Sequence, residues 1–395
     1  MIVCLVACMP AWAQRHSFKF YGEEEGLRNL GVQVVVQDRT GFLWVGTQNG
    51  LYRYDGIHFT EYSKAAGLPG TRIESLHEAA DGTLWVGTRS GLARRVRDHF
   101  EAVTMGPTSN VVARGVLGRQ GIATDAKGNL YLTTERGLVR GVRKQDGFEF
   151  SVMPTPESQK DEVSVSVFLD GAGKVWFGCG TGLCLLENGA ARDVAVEMGL
   201  PTERWFSILS NVDGDLWVRG DQHLYRRRAG NTRFEALTGV PSSSNTFPTA
   251  AIDPDGRLLV PTDKGLARET AKGWELINVE DDANSDDISS VLLDREGSIW
   301  LGLTGSGLAR WLGYGEWQSW TQRDGLSRSS VWSVTKDREG RLWAGTRFGL
   351  NYAVEKDGKL VWKQQPTPGV EWARSLAPAA DGGCGSPRIR LERCD

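Results

Sequence analysis

The sequence predicts an all-β protein, a β-propeller of four-stranded blades, seven or eight in number. Three observations carry this. A phrase of fixed spacing recurs eight times, glycine stands at 49 of 395 residues against only 14 prolines, and an orphan strand-like segment precedes the first copy. Glycine in excess without proline marks many tight turns between short strands.

The phrase is Asp-x-x-Gly-x-(Leu/Ile)-Trp-(Val/Leu)-Gly-Thr-x-x-Gly-Leu, clearest from Asp38 to Leu51. Its first glycine falls at Gly41, Gly82, Gly128, Gly173, Gly214, Gly256, Gly297 and Gly340, at intervals of 41 to 46 residues. Three residues later the slot holds Trp44, Trp85, Tyr131, Trp176, Trp217, Leu259, Trp300 and Trp343. A second glycine follows nine residues after the first, at Gly50, Gly91, Gly137, Gly182, Gly265 and Gly349; the fifth copy has His223 and the seventh has Gly307 after one insertion.

Each copy converts into four strands. Val34–Val36 is apolar and ends at the turn Asp38–Gly41, where Asp bonds its own backbone and Gly accepts positive φ. Leu43-Trp44-Val45 is apolar on both faces, the mark of a strand buried from both sides. Gly50 closes the next hairpin, Leu51–Tyr54 is the third strand, Asp55-Gly56 turns the chain, and Phe59–Tyr62 is the fourth. A four-stranded unit of this length, buried on both faces, is a propeller blade, with the tryptophan filling the wedge between neighbours.

Phe18–Tyr21 matches a fourth strand, as does the segment from Trp317 to Trp320, but nothing precedes it in its own copy. Such a strand completes the last blade and hides two sheet edges. Eight full copies are present, so closure at eight is expected, with the propeller spanning residues 14–366. Residues 375–383 restate residues 75–83, so a ninth copy begins, and then an aberrant Arg-rich tail replaces it. The expectation is a frameshift or truncation of a longer repeat protein.

Composition excludes some functions. Forty-six Lys and Arg against 49 Asp and Glu leave a net charge of −3, with no basic stripe to neutralise a run of phosphates, so no nucleic-acid partner is expected. Ile2–Met9 is a short apolar run broken by Pro10, and Ala11-Trp12-Ala13 is a small-x-small cleavage site. Residues 1–13 therefore predict a signal peptide and export to the periplasm, cut after Ala13. No Lys or Arg precedes the apolar run, which suggests a start codon further upstream. Leu5–Cys8 is the competing lipoprotein box. No later stretch reaches the roughly 18 apolar residues of a membrane span.

Cleavage would leave four cysteines, Cys179, Cys184, Cys384 and Cys394. Cys179 and Cys184 flank a Gly-rich turn and face each other across a hairpin. A disulfide and a pair of small semi-buried residues both fit that placement.

The run from Gly26-Leu27 through Gln37–Thr47 to Gly50–Gly56 resembles the two-component regulator propeller repeat, over about residues 18 to 366. In that family two seven-bladed propellers stand outside the inner membrane. A β-sandwich, a membrane span and a histidine kinase or diguanylate cyclase follow. The resemblance implies a periplasmic sensor in bacterial signal transduction, in some members for oligosaccharides, and a possible homodimer when full-length. This chain departs from that pattern in having no sandwich, span or output domain, so the sensor half is expected here and no enzyme.

Chemistry-bearing motifs are sparse. The histidines His16, His58, His77, His99 and His223 have no partner at metal-ligand spacing. Residues 211–215 and 253–256 faintly resemble calcium loops but lack the ligand spacing and the distal Glu. Residues 178–182 have no Lys and open no helix, so they are no phosphate cradle. No cofactor and no metal are expected.

Residues identical in every blade are consumed by turns and wedges, so recognition falls to those that differ. The loops joining strand four to strand one, and strand two to strand three, open on one face. There the irregular residues are Gln48, Asn49, Glu135, Arg136, Phe206, Asp221, His223, Arg328, Trp332 and Arg347. Amide, carboxylate and guanidinium groups beside two aromatics suit a hydroxyl-rich small molecule such as an oligosaccharide. A protein-interaction scaffold and a propeller lyase or glycosidase are the alternatives, since the fold hosts all three.

Overall fold

The computed structural model describes residues 18–105, 115–145, 147–159, 162–241, 243, 247–279, 287–312, 314, 320, 322, 325–337, 339–356, 359–366, 373–378 and 389–391. The expected signal peptide, residues 1–13, and the tail with Cys384 and Cys394 lie outside them. The chain divides into two compact units, residues 16–315 and the part from residue 316 onward.

The first unit holds seven four-stranded antiparallel sheets. Blade one is Val32–Gln37, Leu43–Thr47, Gly50–Tyr54 and Phe59–Tyr62, hydrogen-bonded in chain order. Blades two to six repeat this over residues 73–103, 122–152, 164–193, 205–236 and 251–277. Blade seven supplies three strands, Ile288–Leu293, Ile299–Leu303 and Gly307–Trp311, and its fourth is Phe18–Tyr21. The register runs from Phe18 opposite Trp311 to Tyr21 opposite Leu308.

The orphan strand therefore closes a ring of seven, which corrects the expectation of eight. The reason is packing. A Cβ added to Gly46 would lie 2.5 Å from Ile73 of blade two, and one added to Gly302 would lie 2.7 Å from Val32 of blade one. The same seam thus joins blade seven directly to blade one. Gly307 N donating to Leu30 O (3.0 Å) and Gln37 Nε2 donating to Glu296 (2.9 Å) fasten the closure. No gap is left for an eighth sheet.

The wedge role of the tryptophans holds. Trp44 is fully buried among Ile73, Leu84, Val86 and Phe100 of blade two, its ring 6.0 Å from Phe100 and edge-on. Removing such a ring costs roughly 3–5 kcal/mol. The turn aspartate does more than turn the chain. Asp38 Oδ1 accepts from the backbone N–H of Thr40 and Phe42, while Oδ2 accepts the indole N–H of Trp44 at 2.8 Å. Trp176, Trp300 and Trp343 donate likewise to Asp170, Asp294 and Asp337.

Cys179 and Cys184 are joined in a disulfide with Cα atoms 5.8 Å apart. Cys179 occupies the slot where Thr47, Thr88, Thr134, Thr262 and Thr346 donate a hydroxyl to the carbonyl of the second glycine. A covalent staple replaces a hydrogen-bonded one in blade four.

The second unit holds the eighth copy as one four-stranded sheet over residues 331–365, and a pair of short strands, Leu376–Pro378 and Ile389–Leu391. The backbone carbonyl of Ala373 sits against Gly345, at the repeat position that Ile73 holds against Gly46, and its N–H donates to Thr346 O at 3.0 Å. The ninth copy thus begins in repeat register.

Candidate functional site

First strands of successive blades in the seven-bladed unit lie side by side, so they line its centre. Their opening residues and the hairpins between strands two and three share one end of this channel. Blade three departs from the pattern there: its first strand starts late, at Ile122, and Val116 supplies the contact to Gly87 that Ile73 supplies to Gly46. That detour frees Arg119 to turn inward. Its Nη2 lies 3.4 Å from Gln33 Oε1, and burial depresses its pKa to about 10. Glu74, itself buried, accepts from Arg72 Nε at 2.8 Å and Arg89 Nε at 2.7 Å through one oxygen. The carboxylate of Glu74 supports the charge on Arg119, and Arg72 opposes it.

Gln120 lies against blade four, where Val167 N donates to its carbonyl at 2.8 Å, and its side chain reaches on to blade five. Its Nε2 donates to Ile208 O at 2.5 Å and its Oε1 accepts from Ile208 N at 2.8 Å. On the blade-five side, Glu203 holds the hairpin that carries His223. It accepts from the backbone N–H of Gln222 and His223, and its Oε2 lies 2.8 Å from His223 Nδ1. Asp221 pairs with Arg204 at 3.1 Å. Arg219 stands where five of the sister copies have the strand-two glycine and is 3% exposed; burial lowers its pKa to about 10 although Glu203 and Asp263 support its charge. Phe247, at φ 58°, places its ring 5.8 Å from Phe206.

Of the residues expected to form the site, Phe206, Asp221 and His223 come together in blade five. Phe206 is buried against Phe247, so it packs the wall of the site and presents no open ring. Gln48, Asn49 and Arg136 are exposed on hairpins of blades one and three, with Glu135 half-buried beside them. Arg328, Trp332 and Arg347 belong to the second unit, where Arg328 stacks over Phe348 at 4.6 Å and Arg374 over Trp332 at 5.4 Å. Sequence reasoning missed Arg72, Arg89, Arg119, Glu203 and Arg219. Arg219 was visible as a charged residue in a glycine slot.

Among the described residues no group of three or more His, Cys, Asp or Glu is placed to hold a metal ion, and no helix is long and apolar enough to cross a membrane. The arrangement offers fixed guanidinium, carboxylate and amide groups around a channel mouth, suited to binding a polar ligand.

The Two component regulator propeller family matches residues 67–90 and 325–348. No curated protein sequence matches the chain. Among solved structures, the chain is similar to the extracellular domain of a hybrid two component system from B. thetaiotaomicron, at 21% identity and a TM-score of 0.66, covering 88% of this chain and 49% of that one. The extracellular domain of a one component system from the same organism matches at 19% identity and a TM-score of 0.61, covering 93% and 50%. A catalytically inactive virginiamycin B lyase from Staphylococcus aureus, solved with quinupristin, matches at 17% identity and a TM-score of 0.59, covering 74% and 99%. At these identities the likeness establishes the fold. The chain spans about half the length of the two extracellular domains.

Proposed function

We propose that this chain, which carries two-component regulator propeller repeats, is the exported, ligand-binding sensor region of a bacterial signal-transduction protein. Its ligand is a small hydroxyl-rich molecule of the oligosaccharide class, bound at the channel mouth of the seven-bladed ring. One observation carries the reading. Arg119 in blade three and Glu203, Arg219 and His223 in blade five build fixed polar clusters on the inner strands and hairpins of their blades. The fold shared with extracellular domains of two component systems supports a location outside the cytoplasm.

A lyase is the second reading, because His223 and Glu203 form an acid–base pair at 2.8 Å and a lyase shares the fold. Titration calorimetry against an oligosaccharide panel, with the products analysed afterwards, tests both. The expected result is saturable binding without turnover, weakened about tenfold or more in Arg204→Ala/His223→Ala while the thermal midpoint is kept. Binding unchanged in this variant and in Arg72→Ala/Arg89→Ala would remove the site from the channel mouth. Cleaved products lost with His223→Ala would establish the lyase.

A further inference from the structure

We infer that blade two carries a binding site for a small ligand carboxylate, on the face of the ring opposite the channel mouth. The inference stands independently of the reading above.

It starts from a missing carboxylate: the turn aspartate is absent from blade two and also, with Asn211 in its place, from blade five, where the buried Trp217 indole N–H has no acceptor among the described residues. In the first, fourth, seventh and eighth copies the turn aspartate accepts the indole N–H of the wedge tryptophan. Blade two has the tryptophan, Trp85, but the aspartate position is Ala79. The backbone turn survives, with Ala79 N bonded to Thr83 O and Gly82 N bonded to Ala79 O, both at 2.9 Å. The acceptor is gone, and the Trp85 indole N–H has no acceptor among the described residues. Blades two and three enclose a groove of about 200 Å³ at this place, lined by Ala79 and Trp85.

The cations of the groove are Arg94, Lys127, Arg143 and Lys144. Arg94 pairs with Glu101 at 3.0 Å and Lys144 with Glu149 at 2.9 Å, which leaves Lys127 and Arg143 to meet an anion. They line the groove against the carboxylates of Asp81 and Asp125. Both of these are engaged: Asp81 Oδ1 accepts from Thr83 N and Oδ2 from Arg143, while Asp125 is bonded to Asn129 and Tyr131. Phe148 stands edge-on to Trp85 with ring centroids 5.5 Å apart, giving the groove an apolar wall. A planar carboxylate entering where the aspartate is missing would accept from the indole and lie in the field of Arg143. A ring attached to it would lie along Phe148. That matches a cyclic carboxylic acid, either a sugar acid or an aryl acid.

The test uses thermal unfolding of the full chain with galacturonate or benzoate at about 10 mM, against galactose, benzyl alcohol and matched sodium chloride. The expected result is a rise of at least about 2 °C with a carboxylate and none with its neutral counterpart. A shift with galacturonate alone identifies a sugar acid, and one with benzoate alone an aryl acid. Ala79→Asp supplies the repeat's own carboxylate to Trp85, so it should raise the unliganded midpoint and abolish the ligand shift. Arg143→Gln should reduce the shift while leaving Trp85 in place. The proposal is overturned if neither carboxylate shifts the midpoint, if the neutral compounds shift it equally, or if Ala79→Asp retains the full response.

Discussion

The indole N–H of Trp300 donates to Oδ2 of Asp294 at 2.7 Å, from a position six residues further along the chain. One carboxylate thus holds both the turn and the wedge of blade seven, because Oδ1 accepts the backbone N–H of Ser298. Asp294→Ala leaves two buried donors without a partner. It should lower stability by roughly 2–4 kcal/mol. Urea unfolding followed by tryptophan fluorescence checks this, with Asp294→Asn expected to fall between the two.

The seam glycines give a sharper contrast. A Cβ on Gly46 would meet Ile73 at 2.5 Å and Val34 at 2.8 Å, whereas one on Gly171 would meet nothing within 4 Å. Gly46→Ala should destabilise by about 1–3 kcal/mol through overpacking. Gly171→Ala should be neutral or slightly stabilising, by up to about 1 kcal/mol, through the unfolded chain. Equal midpoints for the two variants would refute a tight seam.

Blade four tests the staple. The disulfide closes a loop with a sequence separation of 5, so its chain-entropy contribution is about 2 kcal/mol. Cys179→Ser/Cys184→Ser should lose about that much. Cys179→Thr/Cys184→Ala copies blades two and six, restoring the threonine-to-glycine bond, and should recover part of the loss. Added reductant should lower the midpoint of the native chain and leave both variants unmoved.

His77 makes stability depend on pH. Burial depresses its pKa to about 4 from 6.5, and its Nε2 is 2.8 Å from Thr124 Oγ1 of blade three. Between those values the unfolded chain binds the proton and the folded chain does not. The contribution is therefore complete above pH 6.5 and lost as pH falls towards 4. It amounts to at most about 3 kcal/mol, less because the ring is only half-buried by its accessible surface. His77→Gln should flatten this part of the stability–pH curve, measured by denaturant midpoint at pH 7, 6, 5 and 4.

Much of the fold was legible because a repeat prints its local rules again and again. The spacing from Asp38 through Gly41 to Trp44 reveals the turn, the doubly buried strand and the wedge, since each depends on residues within a few positions of one another. The bond from Trp44 to Asp38 was not legible, because it needs the hairpin's register and a side chain reaching back over the turn. Candidate-site residues were legible only as breaks in the pattern. His223 was one, standing where sister copies have glycine, but its partner Glu203 lies twenty residues away in a loop that no motif marks.

By itself the sequence determined the four-stranded blade, the all-β class and the place of the closing strand Phe18–Tyr21 as an outer edge. Periodicity, turn chemistry and burial on both faces are local and suffice for these. Only the tertiary structure decided that the strand pairs with Gly307–Trp311, that the ring closes at seven, and that Arg119 and Gln33 meet across its centre. Those outcomes depend on how many sheets fit around one axis when each glycine seam accepts its neighbour. A linear count of eight equivalent copies carries no record of that geometry.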